Sequence, residues 1–157
     1  MIYVIAYDVG TTSVKSCIFA IEKDVRLIAS ASQPYPLYIL DNGGAEQDAE
    51  EWWAALCSTT REMFSKTDIT PDQIAGISFC SQMQGLVLVD RAGRALRRPM
   101  SYMDQRGTKE FADCMGKGLI KVSGCDAVKL VRNLLVNKAA STSVKDPVWK
   151  YKWVENN

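Results

Sequence analysis

Asp8-Val9-Gly10-Thr11-Thr12-Ser13-Val14-Lys15 stands between two apolar runs, Ile2 to Ala6 before it and Val14 to Ile21 after it. That pattern reads as strand, tight turn, strand, with a polar turn at one end of a buried sheet. Gly10 offers the turn a backbone conformation that other residues avoid, and it lets a ligand approach the main chain. Thr11, Thr12 and Ser13 bring hydroxyls and successive N–H groups, a cradle suited to phosphate oxygens. Asp8 is an acceptor beside them, placed where Mg²⁺ or its water shell can bridge to a nucleotide. The same octapeptide also fits a plain hairpin turn rich in turn-forming residues.

Composition narrows the classes. The 157 residues, 47% hydrophobic and 24% charged, suffice for one domain with a real core. A net charge of +1 supplies no global field for nucleic acid or anionic lipid. No apolar run approaches the roughly 20 residues that a membrane helix needs. The amino terminus carries no basic leader, so no secretory signal is expected. Cys17, Cys57, Cys80, Cys114 and Cys125 are odd in number, lack Cys-x-x-Cys spacing and sit mostly in apolar contexts. That usage suits a reducing cytoplasm. Histidine is absent. Ser-His and Cys-His dyads within this chain are thereby excluded, and a zinc site is disfavoured.

Outward from the opening hairpin, Val25 to Ser32 predicts a third strand, which makes the start of the sheet antiparallel. Pro34 and Pro36 close it, and Asp41-Asn42-Gly43-Gly44 forms a loop. Asp48, with Glu51 three residues on, signals a helix to about Ser65. Its apolar face is Trp52, Trp53, Leu56, Thr60, Met63 and Phe64, with both tryptophans read as core anchors. Thr70 to Gln73 is a turn or short helix start. Ile74 to Cys80 and Gly85 to Val89 read as strands around Ser81-Gln82-Met83-Gln84, a polar insert that either lines a cleft or is a hairpin loop. Asp90 to Gly93 turns the chain, and Arg91, Arg94, Arg97 and Arg98 read as solvated charge. Asp104 and Arg106, two apart, either bind sugar hydroxyls or pair with each other. Thr108 to Met115 predicts a short helix. Asp126 caps another whose apolar residues are Val128, Val131, Leu134 and Leu135. Ala139 to Lys145 reads as a linker, and Asp146-Pro147 opens a last helix with Trp149 and Trp153 on one face.

In this order the motifs resemble the FGGY carbohydrate kinases, and their N-terminal domain in particular. Asp8 to Ser13 is similar to the family's phosphate turn. Glu46-Gln47-Asp48 with Trp52-Trp53 resembles its Glu-Gln-Asp…Trp-Trp helix entry. Gly76-Ile77-Ser78 with Gln82-Met83-Gln84-Gly85 resembles the strand and substrate loop of pentulose kinases. Arg98-Pro99…Tyr102-Met103-Asp104-Gln105-Arg106 resembles the Pro…Trp-x-Asp-x-Arg segment. Trp149…Trp153-Val154-Glu155-Asn156 resembles the Lys-Leu-Leu-Trp-Leu helix.

The resemblance implies an α/β fold of the actin-like ATPase, ribonuclease-H-like kind, a mixed sheet beginning with three antiparallel strands and carrying helices on its faces, present here in part. It implies that residues 1–157 are the amino-terminal part of the kinase N-terminal domain. The implied activity is transfer of the ATP γ-phosphoryl, with Mg²⁺, to a hydroxyl of a pentulose or other polyol. Asp8, Gly10, Thr11, Thr12, Ser13 and Lys15 would then line the phosphate site, with Asp8 also at the metal. Gln82, Met83, Gln84 and Asp104 would face the sugar. Xylulokinases have His, and glycerol kinases an acid, where this chain has Gln84, so the particular sugar stays open. The general-base Asp of the family falls beyond Asn157, which implies a fragment inactive by itself. Implied partners are ATP and a sugar or polyol, with no nucleic acid or membrane. Uncovered apolar surface around Trp149, Trp153 and the sheet edge predicts self-association. The alternatives are a nucleotide-dependent assembly module of the actin and chaperone type, and a small domain in which the turn is purely structural.

Overall fold

The computed structural model describes residues 1–137 and 143–157; of the segment read as a linker, residues 139–142 lie outside the described residues. In chain order the elements are β1 (Ile2–Val9), β2 (Ser13–Ile21), β3 (Val25–Pro34), β4 (Tyr38–Ile39), β5 (Ala45–Glu46), α1 (Ala49–Ser65), β6 (Ile74–Ser81), α2 (Thr108–Met115), β7 (Lys121–Val122), β8 (Cys125–Asp126), α3 (Ala127–Asn137) and α4 (Pro147–Asn156). A 3₁₀ turn, Pro71–Gln73, leads into β6. The chain divides into two compact units, one of residues 1–37 and 47–83, the other of residues 38–46 and 84–157.

The first unit is a four-stranded sheet in the order β3-β2-β1-β6. β1 pairs antiparallel with β2, and β2 with β3, as the three close apolar runs predict. β6 joins β1 in parallel, with Ala6 opposite Ser78 and Asp8 opposite Cys80. A parallel partner needs a crossover, and α1 supplies it. Along β2 the buried residues are Val14, Ser16, Ile18 and Ala20, the period of two that puts alternate side chains on one face. α1 covers that face. Ile5, Tyr7, Ile18, Ala29 and Ala31 of the sheet meet Met63 of the helix in one apolar cluster. Ile18 and Met63 are fully buried, worth about 1.5–3 kcal/mol each by transfer from water. Two hydroxyl pairs stitch the layers: Tyr7 to Thr60 and Ser16 to Thr59, each 2.7 Å.

Asp48 caps α1 by accepting the Glu50 N–H at 2.9 Å. Trp52 packs against the second cluster of this unit, Val14, Tyr35 and Ala55. Trp53 is a correction to the sequence reading: it is 62% exposed. The helix turns 100° per residue, so two adjacent tryptophans cannot share one face, and Ala55, Thr59 and Met63 make the buried stripe.

The second unit holds the hairpins β4–β5 and β7–β8 and the helices α2, α3 and α4. Met115, Cys125 and Trp149 form its core, with Phe111, Cys114 and Leu130 against them. Phe111 meets Trp149 edge to face, centroids 5.4 Å apart. The expected exposure of apolar surface at Trp149 is therefore corrected; it is 6% exposed. Gly107 lies so close to α4 that a Cβ would stand 2.7 Å from the carbonyl carbon of Trp149, so only glycine fits.

The strand expected over Gly85 to Val89 is absent. The stretch keeps only single bridges, Leu86 to Met100 and Val89 to Ala95. Gln84 has φ of +59°, which turns the chain out of the extended conformation, and no continuous partner strand follows. Asp90 closes the next turn by accepting from the N–H groups of Ala92 and Arg94 at 2.8 and 2.9 Å. The β7–β8 hairpin went unread because its strands are two residues each. Asp126 caps α3 through the Val128 N–H at 2.8 Å, as predicted. The apolar residues Val128, Val131, Leu134 and Leu135 of α3 are exposed rather than buried.

Candidate functional site

The turn between β1 and β2 is held from behind by its own carbonyls. Ser13 O accepts the Gly10 N–H at 3.0 Å, and Thr12 O accepts the Tyr35 N–H at 3.1 Å. Gly10 O accepts the Tyr35 hydroxyl at 2.5 Å. Thr11 O accepts Nε2 of Gln47 at 2.7 Å. Gln82 extends the support: its Nε2 donates to Gln47 Oε1 at 2.5 Å, and its main-chain N–H donates to Val9 O at 2.9 Å. All four carbonyls from Gly10 to Ser13 are thus engaged. The N–H groups of Thr11 and Thr12, and the hydroxyls of Thr11, Thr12 and Ser13, donate to no other described residue. A turn with bound carbonyls and free donors presents a positive concavity to an anion.

Gly10 works here by closeness. Its φ is not positive, unlike that of Gly43, Gly93 and Gly124, which corrects the reading that it supplies a left-handed turn. A Cβ at Gly10 would lie 3.2 Å from Ser13 O and 3.9 Å from Lys15 Nζ. Asp8 and Lys15 are register partners across β1 and β2. Lys15 Nζ stands 3.4 Å from Asp8 Oδ2, with side chains 59% and 49% exposed. Such a pair is weak in water, so either group is available to a charged ligand. Tyr35 is buried, and its phenol pKa is pushed up to about 12 by burial and by the negative charge of Asp8. It therefore stays protonated and keeps donating to Gly10. A hollow of about 350 Å³ runs beside Asp8 and Lys15, lined also by Cys17, Phe19, Ser78 and Cys80.

Free main-chain N–H groups and hydroxyls of this kind are donors suited to phosphate oxygens. No cluster of three or more metal-ligating side chains occurs among the described residues. Mg²⁺ in phosphate sites is commonly held by one or two carboxylates, substrate oxygens and water, and Asp8 offers one carboxylate at the turn.

Of the residues expected at the sugar, Gln82 and Met83 lie in the first unit and Gln84 and Asp104 in the second. Gln82 is drawn into the support behind the turn. Met83 is 79% exposed. Gln84 is half-buried; its Nε2 donates to Asp146 Oδ1 at 3.1 Å and its carbonyl accepts Lys150 Nζ at 2.6 Å. Asp104 settles between its two readings. It pairs with Arg106, Nη2 to Oδ2 2.6 Å, and Oδ2 also accepts the Ala45 N–H at 2.9 Å. Asp104 is 1% exposed, and its carboxylate is turned into the protein. Glu46 joins this network, accepting from Arg106 at 2.6 Å and from Arg97 at 2.8 Å. Arg97 is therefore paired rather than solvated.

Tyr35 and Gln47 were missed as parts of the turn. Tyr35 stood between two prolines and read only as the end of β3. Gln47 stood in the Glu-Gln-Asp motif and read as a helix entry; a neutral amide just before a cap gives no sign of which carbonyl it will meet.

Residues 3–156 match the family model described as the FGGY family of carbohydrate kinases, N-terminal domain. The chain belongs to the FGGY family of carbohydrate kinases. A xylulose kinase of Staphylococcus epidermidis is 34% identical to this FGGY chain over 119 residues, 74% of the chain and 24% of that protein. A glycerol kinase of Agrobacterium fabrum is 32% identical over 118 residues, 74% of the chain and 23% of that protein. Among solved structures, a ligand-bound xylulose kinase from Lactobacillus acidophilus matches 100% of the chain and 29% of its own length, at TM-score 0.75 and 24% identity. The fold is accordingly the actin-like ATPase fold expected from the motifs. The FGGY chain spans about a quarter of the length of the curated relatives it matches. None of its described helices is long and apolar enough to cross a membrane.

Proposed function

We propose that this chain is the phosphate-binding, amino-terminal part of an ATP-dependent kinase whose acceptor is a hydroxyl of a pentulose or related polyol. The observation that carries the reading is the turn from Gly10 to Ser13, with its four carbonyls tied down and its threonine N–H groups left free. Thr11, Thr12 and Ser13 would bind phosphate oxygens, and Lys15 would offset their charge. Gly10 would let the phosphate reach the main chain. Asp8 would take the Mg²⁺ or its water shell. Bound Mg²⁺–ATP would supply the transferable phosphoryl group. Phosphoryl transfer depends on positioning and charge stabilisation by groups that converge, including one that accepts the acceptor's proton. A chain a quarter the length of its relatives would bring one wall of such a cleft, and would be inactive alone.

Met83 and Gln84 would face the acceptor, Gln84 through an amide that can both give and take hydrogen bonds. Gln82 and Asp104 would act one step back, through Gln47 and Arg106. Five free cysteines fit a cytoplasmic setting.

An ADP-release assay on the full-length protein carrying this chain, run with xylulose, ribulose, gluconate and glycerol, tests the reading. Turnover with one of these, lost in Asp8→Ala, is the expected result. ATP hydrolysis with no acceptor preference would favour an assembly module instead.

A further inference from the structure

Lys150 is fully buried, on the ten-residue helix α4. Its single hydrogen bond among the described residues runs from Nζ to the main-chain carbonyl of Gln84, 2.6 Å away. A buried ammonium loses hydration, and core packing gives no reason to place one there. Burial lowers its pKa, while the carboxylates of Asp104 and Asp146 offset part of that effect. What it holds is unusual. Gln84 is one of two residues other than glycine with positive φ among the described residues, at +59°. Side chains make that conformation costly, and it persists where surroundings impose it. Asp146 supplies the second hold. Its Oδ1 accepts Gln84 Nε2 at 3.1 Å, and its Oδ2 accepts the Ser143 N–H at 2.9 Å, so the carboxylate itself is fixed. Main chain and side chain of one loop residue are thus gripped from the first turn of α4. Gln84 Oε1 is bonded by no other described residue.

We propose that Lys150 and Asp146 are positioning residues that clamp Gln84 in its left-handed conformation and present its Oε1 to a hydroxyl of the sugar or polyol. This rests on the function proposed above. The clamp would tune acceptor binding and not nucleotide binding.

The test uses the full-length protein carrying this chain. Lys150→Met and Asp146→Asn are each expected to raise KM for the accepted sugar or polyol about tenfold, with KM for ATP changed less than about twofold. In a Gln84→Ala background, Lys150→Met is expected to add little, because its effect passes through Gln84. A crystal structure of Lys150→Met is expected to show residue 84 at negative φ. Equal rises in both KM values, or effects that multiply in the double variant, would overturn the clamp. So would an unchanged φ at residue 84. If Lys150→Met does not fold, Asp146→Asn carries the same comparisons, with the Gln84 side chain expected to leave its site. Should the wild type phosphorylate no sugar, the functional reading fails, and the variant structures still decide the clamp.

Discussion

Asp104 and Arg106 are two residues apart and form a closed pair, Nη2 to Oδ2 2.6 Å, with side chains 0% and 4% exposed. Arg106 also reaches Glu46 and lies over the Trp153 ring, 4.5 Å from its centroid. One cation thus joins the loop before α2 to β5 and α4. Removing one partner of a buried pair strands the other, typically at a cost of 3–5 kcal/mol. Asp104→Ala in the full-length protein is expected to lower stability by about that much, read from denaturant unfolding by tryptophan fluorescence. A loss below about 1 kcal/mol would mean that the network is slack.

Tyr35 gives the β1–β2 turn a pH limit on the alkaline side. Its folded-state pKa, about 12, stands above the ordinary 10.0, so the unfolded chain gives up this proton first. The stability it contributes is whole below pH 10 and is lost as pH climbs through about 12. Tyr35→Phe removes the ionisation along with the hydrogen bond to Gly10. The variant is expected to be less stable than wild type near neutral pH, and the gap should shrink between pH 10 and 12. Denaturant midpoints of both proteins across that range check it, and parallel curves would refute it.

The sheet and α1 were legible because their signals are local and redundant: alternation in β2, a cap at Asp48, prolines after β3. The order of the motifs made the family readable as well. Other features depended on partners distant in sequence. Tyr35 meets Gly10 across 25 residues, Gln47 meets Thr11 across 36, and Lys150 meets Gln84 across 66. No periodicity encodes such a meeting. Asp104 illustrates the limit: its spacing to Arg106 fitted a sugar contact or an ion pair, and only burial chose between them. The Gly85 to Val89 stretch failed for a related reason, since an apolar run predicts burial but does not supply the strand that must pair with it.

α3 carries its apolar residues outward, with Val128 and Leu135 each 74% exposed and Leu134 47% exposed. Contiguous apolar surface of this kind promotes association. This chain is expected to self-associate at concentrations where Val131→Lys together with Leu135→Lys is monomeric. Sedimentation velocity separates the two. Identical profiles would place any association elsewhere, for instance on the exposed edge of β6 at Ile77 and Phe79.

Gly10 offers the sharpest test of the turn, because the chain contains its own control. A Cβ at Gly10 would stand 3.2 Å from Ser13 O, a main-chain atom that cannot swing aside as a side chain can. Gly76, in β6, would gain a Cβ that meets nothing within 4 Å. Gly10→Ala therefore requires Ser13 O to give by a few tenths of an ångström, and a shift there is expected to carry the free N–H groups of Thr11 and Thr12 with it. Overpacking of this sort costs about 1–3 kcal/mol in stability. Ligand binding should suffer as well, with the Kd of Mg²⁺–ATP for the full-length protein rising by about tenfold or more in calorimetric titration. Gly76→Ala should leave that Kd unaltered and stabilise the strand slightly, by about 0.5–1 kcal/mol. If both variants bind Mg²⁺–ATP like the wild type, the β1–β2 turn is a structural hairpin and the nucleotide phosphates lie elsewhere.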